Sequence, residues 1–138
     1  MDRNKRLLDN LFKIARDNNP VAGGRLAACV VYKNQIIAYG FNQAKTHPFQ
    51  AQYSKNEESI YWHAETNAIH NALRVLSETE LAKCTLYVAR ARYELNTPNW
   101  TWGNSKPCQG CNKCIDKYNI KKVVYTTNET NHYGVITE

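Results

Sequence analysis

The chain has 138 residues, of which 43% are hydrophobic and 22% charged, with a formal net charge of +6. That is enough for one domain around one core, with the composition of an ordinary globular protein, and residues 1–138 are read as a single domain. No apolar run reaches the ~20 residues a membrane helix needs, and the basic start Met1-Asp2-Arg3-Asn4-Lys5-Arg6 has no apolar stretch behind it to make a secretory signal. The expectation is a cytoplasmic protein with no membrane partner. The basic balance favours an anionic partner, either a nucleotide phosphate or a polynucleotide; the absence of a long Lys/Arg block weakens the second.

Residues 5–17 predict a helix, because Leu7, Leu8, Leu11, Phe12, Ile14 and Ala15 recur every three to four positions. Asn18-Asn19-Pro20 ends it, and Val21 to Arg25 reads as a loop. Leu26 to Tyr32 is a buried strand, Lys33-Asn34-Gln35 a turn, and Ile36 to Phe41 the returning strand of an antiparallel hairpin. Residues 42–59 are polar, contain His47-Pro48 and read as a long loop, a length uncommon unless the loop is functional or mobile. Ile60 to Leu76 predicts a second helix, with Ala64, Ala68, Ile69, Ala72, Leu73 and Leu76 inward; Glu57, Glu58 and Ser59 at its front suit the helix dipole. Cys84 to Ala89 is a third strand, 90–106 a second long loop holding Tyr93, Trp100 and Trp102, Cys108 to Tyr118 a third helix, and Lys121 to Thr126 a fourth strand. Strand–helix–strand–helix–strand predicts parallel crossovers with helices covering a sheet. Val135-Ile136-Thr137 would add a fifth strand; the gap from Thr126 is too short for a helical crossover, so it should run antiparallel to the fourth.

The five cysteines, Cys29, Cys84, Cys108, Cys111 and Cys114, are odd in number and three are crowded together, which fits metal thiolates better than a disulfide scaffold. His63-Ala64-Glu65 opens the second predicted helix, and Pro107-Cys108-Gln109-Gly110-Cys111 opens the third. One imidazole and two thiolates would hold a single Zn²⁺ with one position left for water, the pattern of a catalytic rather than a structural site. Helix N-termini favour the thiolate form of Cys108 and Cys111. Glu65 is placed to take the proton of a water acidified by the metal and to pass protons on. H-x-E followed by P-C-x-x-C is the signature of zinc nucleobase deaminases. Cys114 would complete a structural knuckle, but six positions along a helix turn it away from Cys108. His70 reads as a packing or helix-surface residue, His132 as solvent-exposed, and His47 as a residue lining the pocket.

These motifs make the chain resemble the cytidine and deoxycytidylate deaminase superfamily over residues 5–126, through Gly40-Phe41-Asn42, His63-Ala64-Glu65-Thr66-Asn67-Ala68-Ile69, Lys106-Pro107-Cys108-Gln109-Gly110-Cys111 and the ending Tyr118 to Tyr125. The resemblance implies a three-layer αβα cytidine-deaminase-like fold, a mixed sheet of four to five strands in order 2-1-3-4-5. It implies His63, Cys108 and Cys111 as zinc ligands, Glu65 as proton shuttle, Asn42 at the substrate sugar and the backbone at Ala64 on the base carbonyl. The expected reaction is deamination of a cytosine nucleotide, dCMP to dUMP, by an enzyme that is a homo-oligomer in most of the superfamily. His47, Lys106 and Trp102 are further candidate substrate contacts, and Arg25, Lys45 or Lys106 would hold a phosphate. The alternatives are a deaminase of bases in tRNA or single strands, with Tyr93, Trp100 and Trp102 stacking on flanking bases, and a non-catalytic zinc-binding module. Within the superfamily the motifs resemble the deoxycytidylate and tRNA-adenosine branches, from which the chain departs in Lys106, where an acid is usual, in the long 90–106 segment, and in a C-terminal segment too short for their last crossover helix.

Overall fold

The computed structural model describes residues 2–18, 24–53, 61–94 and 99–137. The predicted hairpin is β1 (Arg25–Tyr32) and β2 (Gln35–Phe41), antiparallel with Ala28 opposite Gly40. Lys33 and Asn34 at the turn both have positive φ, 49° and 67°, the geometry whose twist matches paired strands. The rest of the sheet is β5 (Thr85–Glu94), β7 (Lys122–Thr126) and β8 (Tyr133–Thr137), in order β2-β1-β5-β7-β8. This is the expected 2-1-3-4-5 when the strands of this path are counted along the chain. β1 is antiparallel to both neighbours, β5 and β7 are parallel, and β8 returns antiparallel as its short connection requires. β2 and β5 therefore run the same way, with β1 between them.

The nearly continuous apolar run of β1 follows from cover on both faces. Ala28 and Val30 face a core shared with α3 (Ala64–Ala72) and α5 (Gln109–Lys117). Ala27, Cys29 and Val31 face the opposite core, where α1 (Arg3–Arg16) contributes Leu8, Leu11, Phe12 and Ala15. Among the described residues no helix is long and apolar enough to cross a membrane.

Three sequence expectations change. Within 90–106, read as a loop, the described residues include strand: β5 continues to Glu94, and β6 (Asn99–Gly103) pairs antiparallel with it, Ala91 opposite Trp102 and Tyr93 opposite Trp100. The alternation Arg90-Ala91-Arg92-Tyr93 is strand periodicity with arginines on the polar face. Segment 42–59, read as a loop, contains β3 (Gln43–Thr46), which pairs with β4 (Tyr61–Trp62), and α2 (Pro48–Ala51). Its predicted acidic helix front, Glu57, Glu58 and Ser59, lies outside the described residues, as does the loop at 21–23. The second predicted helix is shorter, Ala64–Ala72, because Tyr61 and Trp62 pair as strand first; a separate short α4 (Glu78–Leu81) follows, opened by a Ser77/Glu80 capping box.

α3 lies directly on β2. A Cβ on Gly40 would overlap the backbone of Ala64 and Ala68, and the helix ties the outer edge of the strand through Phe41 N–H to Asn67 Oδ1 (2.9 Å) and Asn71 Nδ2 to the Tyr39 carbonyl (2.9 Å). Gly40→Ala is expected to destabilise the fold by about 1–3 kcal/mol through overpacking. Urea denaturation checks this, and a midpoint equal to wild type would contradict the close approach.

Candidate metal centre and its cavity

His63 sits at the N-cap of α3 with extended backbone, and its ring makes no capping bond. The helix start is held instead by Gln50 of α2, a fully buried side chain. Its Oε1 accepts from His63 N–H (3.1 Å) and from the Thr66 hydroxyl. The imidazole is thereby left to point away from its own helix.

Cys108 is the N-cap of α5 and its Sγ accepts from the Cys111 amide at 3.5 Å. The segment leading to it is pinned by two buried hydroxyls. Ser105 Oγ donates to the Val88 carbonyl (2.8 Å) and accepts from Thr126 N–H (2.9 Å). Thr126 Oγ1 donates to the Gly103 carbonyl (2.6 Å) and accepts from Arg90 N–H (3.1 Å). Each hydroxyl is satisfied as donor and acceptor, as burial demands, and together they lock β5, β6 and β7 to the entry of α5.

The two helix starts meet. His63 Nδ1 lies 3.5 Å from Cys108 Sγ and 3.3 Å from Cys111 Sγ, and the three ligand atoms fall within 4.8 Å of one another. Zn–S of about 2.3 Å and Zn–N of about 2.0–2.1 Å in a tetrahedron separate ligands by about 3.5–3.8 Å, so this donor set fits a zinc ion. Hydrogen bonds from Cys111 and from the His63 ring hold the Cys108 thiol down to about 4. His63 is raised, first by its bond with Cys108, and Cys111 is raised by its bond with Cys108 and by burial. Cys108 is thus the ready thiolate, and metal binding would draw the second proton from Cys111. Cys114 points into the apolar core, where burial pushes its thiol up to about 12.

Beside the three ligands is a cavity of about 250 Å³ whose lining includes Asn42, His63, Ala64, Glu65, Lys106 and Cys108. Glu65 is 4% exposed and burial raises its carboxyl above the ordinary range. Asn42 spends most of its amide on structure: Oδ1 accepts from Leu26 N–H and Asn18, and Nδ2 donates to the Gly24 carbonyl.

Two candidate substrate contacts are displaced. His47 does not line the cavity; its Nδ1 caps α2 at Phe49 N–H (3.0 Å) and its ring stacks on Trp62 at 3.8 Å. Trp102 is 1% exposed and packs in the α1 core, because its strand partner Ala91 faces that side. Of the cations offered for a phosphate, only Lys106 reaches the cavity. Arg25 donates to the Arg16 and Asn18 carbonyls and covers Trp100, and Lys45 covers Trp62. His70 packs among the rings of His47, Phe49 and Trp62, and His132 is exposed, as read from the sequence. Gln50 and Arg90, which also lines the cavity, were not singled out from the sequence. Only the strand alternation at Arg90 carried a signal.

The family profile described as cytidine and deoxycytidylate deaminase zinc-binding region matches residues 1–127. No curated protein sequence matches. Among solved structures, the chain is similar to the cytidine deaminase from Burkholderia pseudomallei (18% identity, 99% of this chain and 93% of that one, TM-score 0.63). It is also similar to the dCMP deaminase from the cyanophage S-TIM5 (20% identity, 91% and 84%, TM-score 0.58). A third likeness is to a Thermotoga maritima diaminohydroxyphosphoribosylaminopyrimidine deaminase/reductase (23% identity, 88% of this chain but 28% of that one, TM-score 0.53). At these identities the likenesses establish the fold.

Zinc analysis of the purified protein is expected to give about one ion per chain, falling to near none in Cys111→Ser and unchanged in Cys114→Ala, as three ligands with one open position require. Loss of zinc in Cys114→Ala would restore the structural knuckle.

Proposed function

Since the chain belongs to the cytidine and deoxycytidylate deaminase zinc-binding family, we propose that it hydrolyses the exocyclic amine of a cytosine nucleotide, converting dCMP to dUMP and ammonia. The observation that carries this reading is the buried carboxylate of Glu65 on the same cavity as His63 and Cys108. A structural metal site has no use for such a group.

A zinc ion held by His63, Cys108 and Cys111 supplies a Lewis acid that makes water acidic enough to react at neutral pH. Glu65 accepts a proton as water adds to C4 of the base and delivers it to N3; it then accepts the proton of the new C4 hydroxyl and delivers it to the departing amine, so that C4 keeps the oxygen as a carbonyl and ammonia leaves. Burial raises the Glu65 carboxyl above the ordinary carboxylate range, the direction that suits a group that must both take and return protons. Ala64 opens α3 and lines the cavity, so its backbone is the group offered to a base carbonyl. Among the described residues Asn42 Nδ2 donates one hydrogen, to the Gly24 carbonyl, and the second is offered to a sugar hydroxyl.

The mononucleotide is favoured over a base within a polymer because two of the three aromatics offered for stacking are held in the fold, leaving Tyr93 as the exposed one of the three. Trp102 is buried, and Trp100 lies between Tyr93 (5.2 Å, edge-on) and Arg25 (5.2 Å).

In an ammonia-release assay with dCMP, CMP, cytidine and dCTP, dCMP is expected to turn over best. Glu65→Gln should keep its zinc and lose turnover by about 10²–10⁴-fold, the range for a proton shuttle. Near-normal turnover in that variant would rule out the role given to Glu65.

A further inference from the structure

The cavity wall contributed by β5 carries a cation, Arg90, that has no ion-pair partner among the described residues. Arg90 and Arg92 lie on the same face of β5, two positions apart. Arg92 is fully engaged: its guanidinium donates to the Trp102 carbonyl (2.9 Å) and the Asn128 carbonyl (3.1 Å) and pairs with Glu94 (3.2 Å). Arg90 lines the cavity, half-buried, and among the described residues its guanidinium meets no carboxylate or carbonyl. Its main chain is fixed on three sides, by Leu26 of β1, by Gly103 of β6 and by the Thr126 hydroxyl. Its stem lies flat across Gly103, where an added Cβ would stand 3.1 Å from Arg90 Cγ and Cδ. Gly103 shows no positive φ, so the glycine serves space, not backbone conformation. Lys106 lines the same cavity, and Glu65 is its one acid.

The geometry points to Arg90 as the anchor of an anion subsite that receives the terminal 5′-phosphate of the nucleotide, assisted by Lys106. This rests on the cytosine-nucleotide reading and adds the residue that makes a nucleotide, not a nucleoside, the preferred ligand. A half-buried, unpaired guanidinium presents several donors in a fixed fork that suits phosphate oxygens. The β5–β6 hairpin, which the sequence suggested was a loop, is what holds it there.

Calorimetric binding of dUMP and of deoxyuridine to the zinc-loaded protein tests the assignment without requiring turnover. Wild type is expected to bind dUMP about 10–100-fold tighter than deoxyuridine, as charged hydrogen bonds warrant. In Arg90→Gln that ratio should collapse to within about threefold, with Arg90→Lys between the two. Because each ratio is taken within one preparation, a partial loss of folded protein does not imitate the effect. A ratio that survives Arg90→Gln, or a wild type that does not discriminate, overturns the subsite. A single-stranded deoxyuridine oligomer without terminal phosphates is expected to bind more weakly than dUMP. Tighter, Arg90-dependent binding of that oligomer would overturn the terminal-phosphate assignment in favour of a phosphodiester. Failure to deaminate dCMP together with an Arg90-dependent dUMP ratio would fault the reaction and leave the subsite standing.

Discussion

The parallel relation of β2 and β5 across the intervening β1 is the constraint from which the site follows. Chain leaving β2 leads, through β3, α2 and β4, to α3, and chain leaving β5 leads, through β6, to α5. Both strands end at the same edge of the sheet, so both helices start there and cover the same face. Helix starts bring unpaired N–H groups and partial positive charge, and crevices beyond the carboxyl ends of strands are where open α/β sheets bind ligands. His63 and the two cysteines are short-range neighbours of those starts. Topology, more than any single contact, brings them to one point.

Two local devices turn that rough meeting into bonding distance. Gly40 lets α3 sit on β2 without a side chain between them, and Gln50 fixes the first turn of that helix. On the other side, the Ser105–Thr126 pair joins three strands to the segment entering α5. Gln50 and the Ser105–Thr126 pair are buried polar groups held by hydrogen bonds, which resist displacement because breaking one strands its partner. The cavity inherits this rigidity: its carboxylate, its metal-binding edge and its cationic wall are each on a regular element.

The three residues that could hold a metal and the glutamate proposed to carry protons were legible because each motif is local. His63 and Glu65 share one helix start, Cys108 and Cys111 another, and spacing alone places such pairs. The strand order and the antiparallel β8 were also accessible, from periodicity, connection length and the family resemblance. Residues whose roles depend on neighbours distant in sequence were not. Gln50 supports His63 from a different element, Arg90 needs Gly103 opposite it, and Ser105 needs Thr126. Reading Arg90 to Lys106 as loop hid a hairpin, because its arginines masked an alternation of period two. His47 and Trp102 were chosen as ring side chains in apparent loops; in the fold those rings find apolar partners and leave the cavity.

The central claim is a three-ligand zinc centre with a fourth position open to water. X-ray absorption at the zinc edge of the purified protein measures the donors directly. The account predicts two sulfur neighbours near 2.3 Å together with nitrogen and oxygen near 2.0–2.1 Å, roughly the distances of such ligands. A third sulfur neighbour, or a shell of protein donors with no room for oxygen from water, would contradict it.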